Sequence, residues 1–330
     1  MPKKGILLVQ LGTPDELSLK GVRRYLRTFL SDKRVVDIPP LLRYLLLYGV
    51  ILPTRSPKTL AAYREIWTEE GSPLRVYSEA LRTKLQKELE NTHTVALGMR
   101  YGEPLLKDAL HQLKDCDDVT VLPLYPQFAD STTGSTFEAV TNNLQQQQKI
   151  PNLRFIRDFY QHPAFIKAYA ALLKPYLKKP FDHLLLSYHG LPERHILKSG
   201  CRQVCQDACP TPGINNAVCY RAQCFETSRL LTQALKLDAP KYTTSFQSRL
   251  GKTVWIRPYT DEMLVTLAEK NIKHLLIACP AFVADCLETL EEIGMQASET
   301  WRSLGGETLT LIPCLNADDG WVKALKSICL

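Results

Sequence analysis

The sequence predicts an α/β protein of two lobes, each a four-stranded parallel sheet flanked by helices. Three observations lead there. At roughly 150 residues per domain, a chain of 330 residues has material for two cores. Short apolar runs rich in Val, Ile and Leu recur with periodic segments between them, the order expected of alternating strands and helices. Runs such as ILLV at 6–9 and LLL at 184–186 are continuous and do not alternate with polar residues, which is the pattern of strands covered on both faces.

In the first lobe, residues 1–157, the expected strands are 6–11 (ILLVQL), 94–99 (TVALGM), 119–125 (VTVLPLY) and 153–156 (LRFI). In the second, residues 158–317, they are 184–188 (LLLSY), 242–246 (YTTSF), 274–279 (HLLIAC) and 308–313 (TLTLIP). Residues 73–89 and 225–237 repeat apolar positions every three or four residues and read as crossover helices. The region between Pro151 and His162-Pro163 holds the lobe boundary, and the periodic stretch 318–330 is expected to pack back on the first lobe. Polar and turn-forming residues gather at the carboxyl ends of these strands, where open α/β sheets bind their ligands.

Composition excludes several classes. Apolar residues at 45% and charged residues at 23% are globular values, against disordered, collagenous or coiled-coil chains. The longest apolar run, 44–52 (YLLLYGVIL), falls far short of the roughly 20 residues of a spanning helix. The N-terminus shows no export signal, so the sequence predicts a cytoplasmic protein. Net charge is +7, and residues 1–60 alone hold 11 Lys/Arg against 4 Asp/Glu, the same excess. That concentration favours an anionic ligand or an acidic lipid surface, and no basic-aromatic motif for nucleic acid accompanies it. The apolar run beside these basic residues predicts a lip touching the inner face of a membrane from outside its hydrocarbon.

Four groups of residues have chemistry to offer. His189 stands at a strand end before Gly190 and Pro192, where a turn would present its imidazole as base or metal ligand; a hydrogen-bonded structural histidine is the plain alternative. Asp285, Glu288 and Glu292, spaced i, i+3, i+7, would line one helical face and hold protons or a divalent cation, although a solvated face or a helix cap explains them too. Arg55, Arg100 and Arg249 suit a carboxylate, with exposed salt bridges as the alternative. Cysteines 201, 205, 209, 219 and 224 place half of the ten thiols in residues 199–224, a loop broken by Gly and Pro. Their spacing fits a thiolate site for an iron-sulfur cluster or zinc and matches no standard ferredoxin or zinc finger; five thiols exceed the four a site needs.

Taken together, LLVQLGTP, YLRTFLSD, YREIWTEEGSPL, MRYGEP, LYPQFADSTTGS, SYHGLP, SFQSRLGKTVWIRPYTDE and CPAFVADCLETLEEI resemble the ferrochelatases over nearly the whole chain. The resemblance implies two Rossmann-like lobes of the chelatase fold and insertion of Fe(II), as substrate, into protoporphyrin IX at the end of heme synthesis. Coproporphyrin is the alternative substrate, and a thiol-based metal or redox sensor the alternative function. The resemblance makes His189 and Glu288 the catalytic pair and, with Glu292, the metal ligands. It assigns Leu11, Arg55, Tyr63, Arg100, Tyr101 and Trp255 to the porphyrin pocket. Cys286 stands where animal members carry a second histidine, and Asp130 replaces a cluster cysteine of theirs, so no animal-type cluster is implied. The insertion with Cys201, Cys205, Cys209, Cys219 and Cys224 resembles that of bacterial members in which an internal [2Fe-2S] cluster is plausible.

Overall fold

The structure, a computed structural model, describes residues 3–249, 251 and 253–330. It forms two compact units: the chain up to Tyr125 with Asp130–Asp158 and Ala317–Leu330, and Pro126–Ala129 with Phe159–Asn316.

In the first unit, β1 (Lys4–Gly12), β2 (His93–Tyr101), β3 (Asp118–Pro123) and β4 (Asn152–Phe155) form a parallel sheet of order β2-β1-β3-β4. The run ILLV of β1 is wholly buried, as a central strand covered on both faces requires. The connections are α1 (Leu19–Ser31), α2 (Pro40–Leu46), α3 (Leu52–Ile66), α4 (Pro73–Leu89), α5 (Leu106–Gln112) and α6 (Ser135–Leu144). Ser18 caps α1 by accepting from the Gly21 amide. A π-helix, Leu47–Ile51, joins α2 to α3, so the apolar run seen in the sequence is helical; Leu41, Leu42, Tyr44, Leu45 and Leu46 on α2 and Tyr48 and Val50 on the π-helix are exposed. The C-terminal helix Asp319–Cys329 lies on α4 with Lys84 donating to Asp319 and to the Ala317 carbonyl. Strand β1 ends where only glycine fits: Gly12 has φ 116°, and a Cβ there would lie 1.6 Å from the Tyr101 carbonyl oxygen.

The second unit repeats the plan. Strands β5 (His183–His189), β6 (Tyr242–Gln247), β7 (His274–Ala278) and β8 (Thr308–Leu311) form a parallel sheet of order β6-β5-β7-β8. Helices α7 (Pro163–Leu177), α8 (Glu193–Lys198), α9 (Tyr220–Leu235), α10 (Thr260–Glu269) and α11 (Ser298–Ser303) flank it, with a π-helix, Glu288–Ala297, leading into α11. Leu185, Leu264, Leu267, Leu275, Ile277, Ile293 and Trp301 form the core under that π-helix. The expected α/β architecture with two four-stranded parallel sheets is therefore present. Helix α9 begins at Tyr220, earlier than the expected 225, with Cys219 at its N-cap; it ends where Lys236 turns left-handed at φ 54°.

Candidate active site

His189 is the last residue of β5 and lies beside Gln247, the last of β6. Its Nδ1 is 2.6 Å from the Gly190 carbonyl oxygen. A carbonyl only accepts, so Nδ1 carries a hydrogen; in the neutral ring Nε2 then has a lone pair that can take a proton, making the ring a cation, or a metal ion. The backbone is pinned as well: the Gly190 amide donates to Gln247 O at 2.8 Å, and the Tyr220 hydroxyl donates to His189 O at 2.7 Å. A Cβ on Gly190 would meet that Gln247 oxygen at 2.8 Å and the Trp255 ring at 3.3 Å, which puts Trp255 next to the histidine turn.

The acidic residues sit on the π-helix Glu288–Ala297. Glu292 is gripped by Ser248, whose amide and hydroxyl reach its two carboxylate oxygens at 2.7 and 2.5 Å. Ser248 manages this from the left-handed region, φ 66°. Burial pushes the Glu292 carboxyl up and the Glu288 charge adds to that, while Ser248 and the His189 imidazole pull it down. His189, Glu288 and Glu292 therefore share one electrostatic neighbourhood. Gln247, fully buried, donates to the Glu288 carbonyl at 2.7 Å and accepts from Ser187 at 2.7 Å, tying the π-helix to the strand ends. Burial, and the Glu288 charge beside it, push the Cys286 thiol up. Asp285 does not join the row expected from its spacing. It precedes the helix and is buried, accepting from Asn316, from Thr289 and from the Cys314 amide. Arg249 likewise faces outward to Asp261 and Glu262.

In the first unit, Arg100 donates to Asp32 at 2.7 Å and to the Ser135 hydroxyl at 2.8 Å. Its guanidinium lies 4.6 Å from the Tyr101 ring centre. Tyr101 is buried with its hydroxyl on Asp32, and Tyr63 is buried near Thr13, which bonds Ser72. Leu11 and Arg55 are half-buried.

A family model described as ferrochelatase matches residues 3–330. The chain belongs to the ferrochelatase family. A ferrochelatase of Legionella pneumophila strain Philadelphia 1 is 53% identical over 326 residues, covering 99% of this chain and 98% of that protein. One from Coxiella burnetii strain Dugway is 48% identical over 332 residues, covering 99% and 93%. The solved sirohydrochlorin chelatase SirB from Bacillus subtilis subspecies spizizenii, in complex with cobalt, superposes with a TM-score of 0.55 at 9% identity, covering 99% of this chain and 94% of that one. SirB from Bacillus subtilis with Fe3+ gives 0.55 at 10%, covering 98% and 93%. At such identities the structures show the fold alone, while the curated relatives make this enzyme a lyase of heme synthesis with Fe(II) and a porphyrin as substrates.

Four of the loop's thiols are neighbours: Cys209 lies near Cys219 and Cys205, and Cys219 near Cys201. The Cys209 thiol and the Ala222 amide hold the Cys219 thiol below its ordinary value in spite of burial. Cys224 is buried, and burial pushes its thiol up. Among the described residues, no group of three or more His, Cys, Asp or Glu is arranged to hold a metal ion. Gln247, Ser248, Tyr220 and Asp32 were not singled out from the sequence. The signal for the first two is their place at the end of the strand beside that of His189.

Proposed function

We propose that the enzyme inserts Fe(II) into protoporphyrin IX to give protoheme, with His189 and Glu288 as the catalytic pair and Glu292 continuing an acidic path. Insertion replaces two pyrrole protons by the cation, so the site must accept protons and offer the metal weak ligands in turn. The observation that carries the reading is His189, its Nδ1 bound to the Gly190 carbonyl so that Nε2 is the ring nitrogen left for chemistry, in the same electrostatic neighbourhood as Glu288 and Glu292. Leu11, Arg55, Tyr63, Arg100, Tyr101 and Trp255 are the residues proposed to meet the macrocycle. Protoporphyrin is favoured over coproporphyrin by resemblance to proteobacterial-type enzymes. The test is anaerobic incubation with Fe(II) and each tetrapyrrole, followed by absorption. Wild type should convert protoporphyrin, and His189→Ala should abolish conversion. A variant that keeps the wild-type rate would leave the thiol-sensor reading standing.

Cys201, Cys205, Cys209 and Cys219 are proposed to hold a [2Fe-2S] cluster, with zinc as the alternative. Four thiolates are the donor set such a group takes, and the guanidinium of Arg221 on the Cys209 sulfur and that of Arg229 on the Cys209 carbonyl suit a negatively charged sulfur; among the described residues the thiols are not closed around an ion. Such a group would serve as a structural staple on the loop 199–224. Brown protein with iron and sulfide after anaerobic purification is the expected result, and protein without any metal refutes it. The exposed α2 region is proposed as a peripheral contact with the inner face of the membrane.

A further inference from the structure

We propose that Tyr220 and Arg221, the first two residues of α9, are positioning residues through which the cysteine loop sets the placement of the His189 turn and of the segment carrying Trp255. The inference rests on the reading that His189 and Trp255 meet the substrates, and it extends that reading to residues without substrate contact.

Both side chains are almost wholly inside the protein, and they point to different parts of the same site. Tyr220 follows Cys219, the N-cap, and its hydroxyl donates to the His189 carbonyl at 2.7 Å. That carbonyl belongs to the last residue of β5, where the strand stops and the turn begins, so the bond sets how the imidazole leaves the sheet. Arg221 is 1% exposed. Its Nε and Nη2 donate to the Arg257 carbonyl at 3.1 and 3.0 Å, and its Nη1 to the Asp207 carbonyl at 2.8 Å and the Cys209 sulfur at 2.9 Å. Its guanidinium lies 4.6 Å from the Phe225 ring centre and 5.9 Å from that of Phe246. None of these hydrogen bonds goes to a carboxylate. Burying a cation without an anion is strongly unfavourable, and a neutral side chain would serve if filling space were the task.

What Arg221 joins gives the cost a purpose. One side of the guanidinium holds residues 207–209 of the cysteine loop. The other holds Arg257, in the segment that pairs with the turn after His189: Ile256 donates to the Leu191 carbonyl at 3.0 Å, and Pro192 bridges Trp255. A shift of the loop thus has two mechanical routes into the site, one through Tyr220 to His189 and one through Arg221 to Trp255. Packing of α9 alone would not need either polar bond.

The experiment is steady-state insertion of Fe(II) into porphyrin by the full chain, with kcat and KM resolved for Tyr220→Phe, Arg221→Gln and a control, Leu231→Ala. Leu231 is buried on the same helix, about three turns beyond Tyr220 and Arg221, so its variant reports loss of packing. Tyr220→Phe removes one hydroxyl and should lower kcat about tenfold with porphyrin KM unchanged, since small misplacements of a reacting group weigh heavily on rate. Arg221→Gln should raise porphyrin KM severalfold with a smaller change in kcat. Leu231→Ala should lower the melting temperature and leave both constants near wild type per folded molecule. If Tyr220→Phe keeps its kcat, or if all three lose activity only in proportion to the folded fraction, the inference is overturned. Should Arg221→Gln not fold, Tyr220→Phe decides alone. His189→Ala run in parallel separates the two levels. Activity lost there but kept in Tyr220→Phe removes only the positioning role, whereas activity kept in both removes the His189 reading and this inference with it.

Discussion

Asp32 shows how a single carboxylate organises a polar site in the first unit. One of its oxygens accepts from Arg100, Tyr101 and Ser135 at 2.7, 2.7 and 2.6 Å, and the other from the Arg34 amide at 2.8 Å. Burial alone would lift the carboxyl, but Ser135, the Arg34 amide, Tyr101 and Arg100 together hold it below its ordinary 3.8. A carboxyl lowered on folding contributes stability above its unfolded value, and that contribution is lost as pH falls through the folded one. Asp32→Asn leaves the Arg100 charge with no anion and should cost about 2–3 kcal/mol at pH 7. The difference from wild type should shrink as denaturant unfolding is repeated from pH 5 towards pH 3. Equal stability at pH 7, or a gap that widens on acidification, would contradict this account.

At the scale of elements, what could be read from the sequence divides by the kind of force that buries a residue. The central strands were legible because apolar burial leaves a local record: ILLV at 6–9 or LLL at 184–186 can only be a covered run. His189 stood out because it follows such a run, and Glu288 and Glu292 because no basic residue interrupts them. The first turn of α9 was missed because YRAQC carries polar side chains that hydrogen bonds hold inside: Arg221 and Gln223 are both buried. The π-helix at Glu288–Ala297 was equally hidden, since its ladder differs from an α-helix by one residue in the backbone and leaves the side-chain pattern almost unchanged. Gln247 and Ser248 owe their roles to pairing across strands distant in sequence, which no local pattern carries.

At the scale of the whole molecule, charge and apolar exposure coincide in one stretch of chain. Residues 1–60 carry the whole net excess of +7. Of their basic residues, Arg24 is answered by Asp15, Lys33 by Glu138, and Arg34 by Asp130 and Glu138. Lys20, Arg23, Arg27 and Lys58 are exposed, with no carboxylate partner among the described residues. On α2, Leu41 is 72% exposed and Leu45 57%, although no described helix is long and apolar enough to cross a membrane. Exposed leucines are stable on a surface when another apolar phase covers them, and each nearby cation adds about 1 kcal/mol towards an anionic bilayer. The enzyme should therefore float with anionic liposomes at low salt and release as ionic strength rises, because exposed charges are screened beyond about 10 Å at 0.1 M salt. Changing Leu45 and Leu46 to Ser should weaken flotation while leaving porphyrin turnover in detergent intact, which separates the lip from the chemistry. Failure of the wild type to float on anionic vesicles at low salt would remove the membrane contact and leave the site described above untouched.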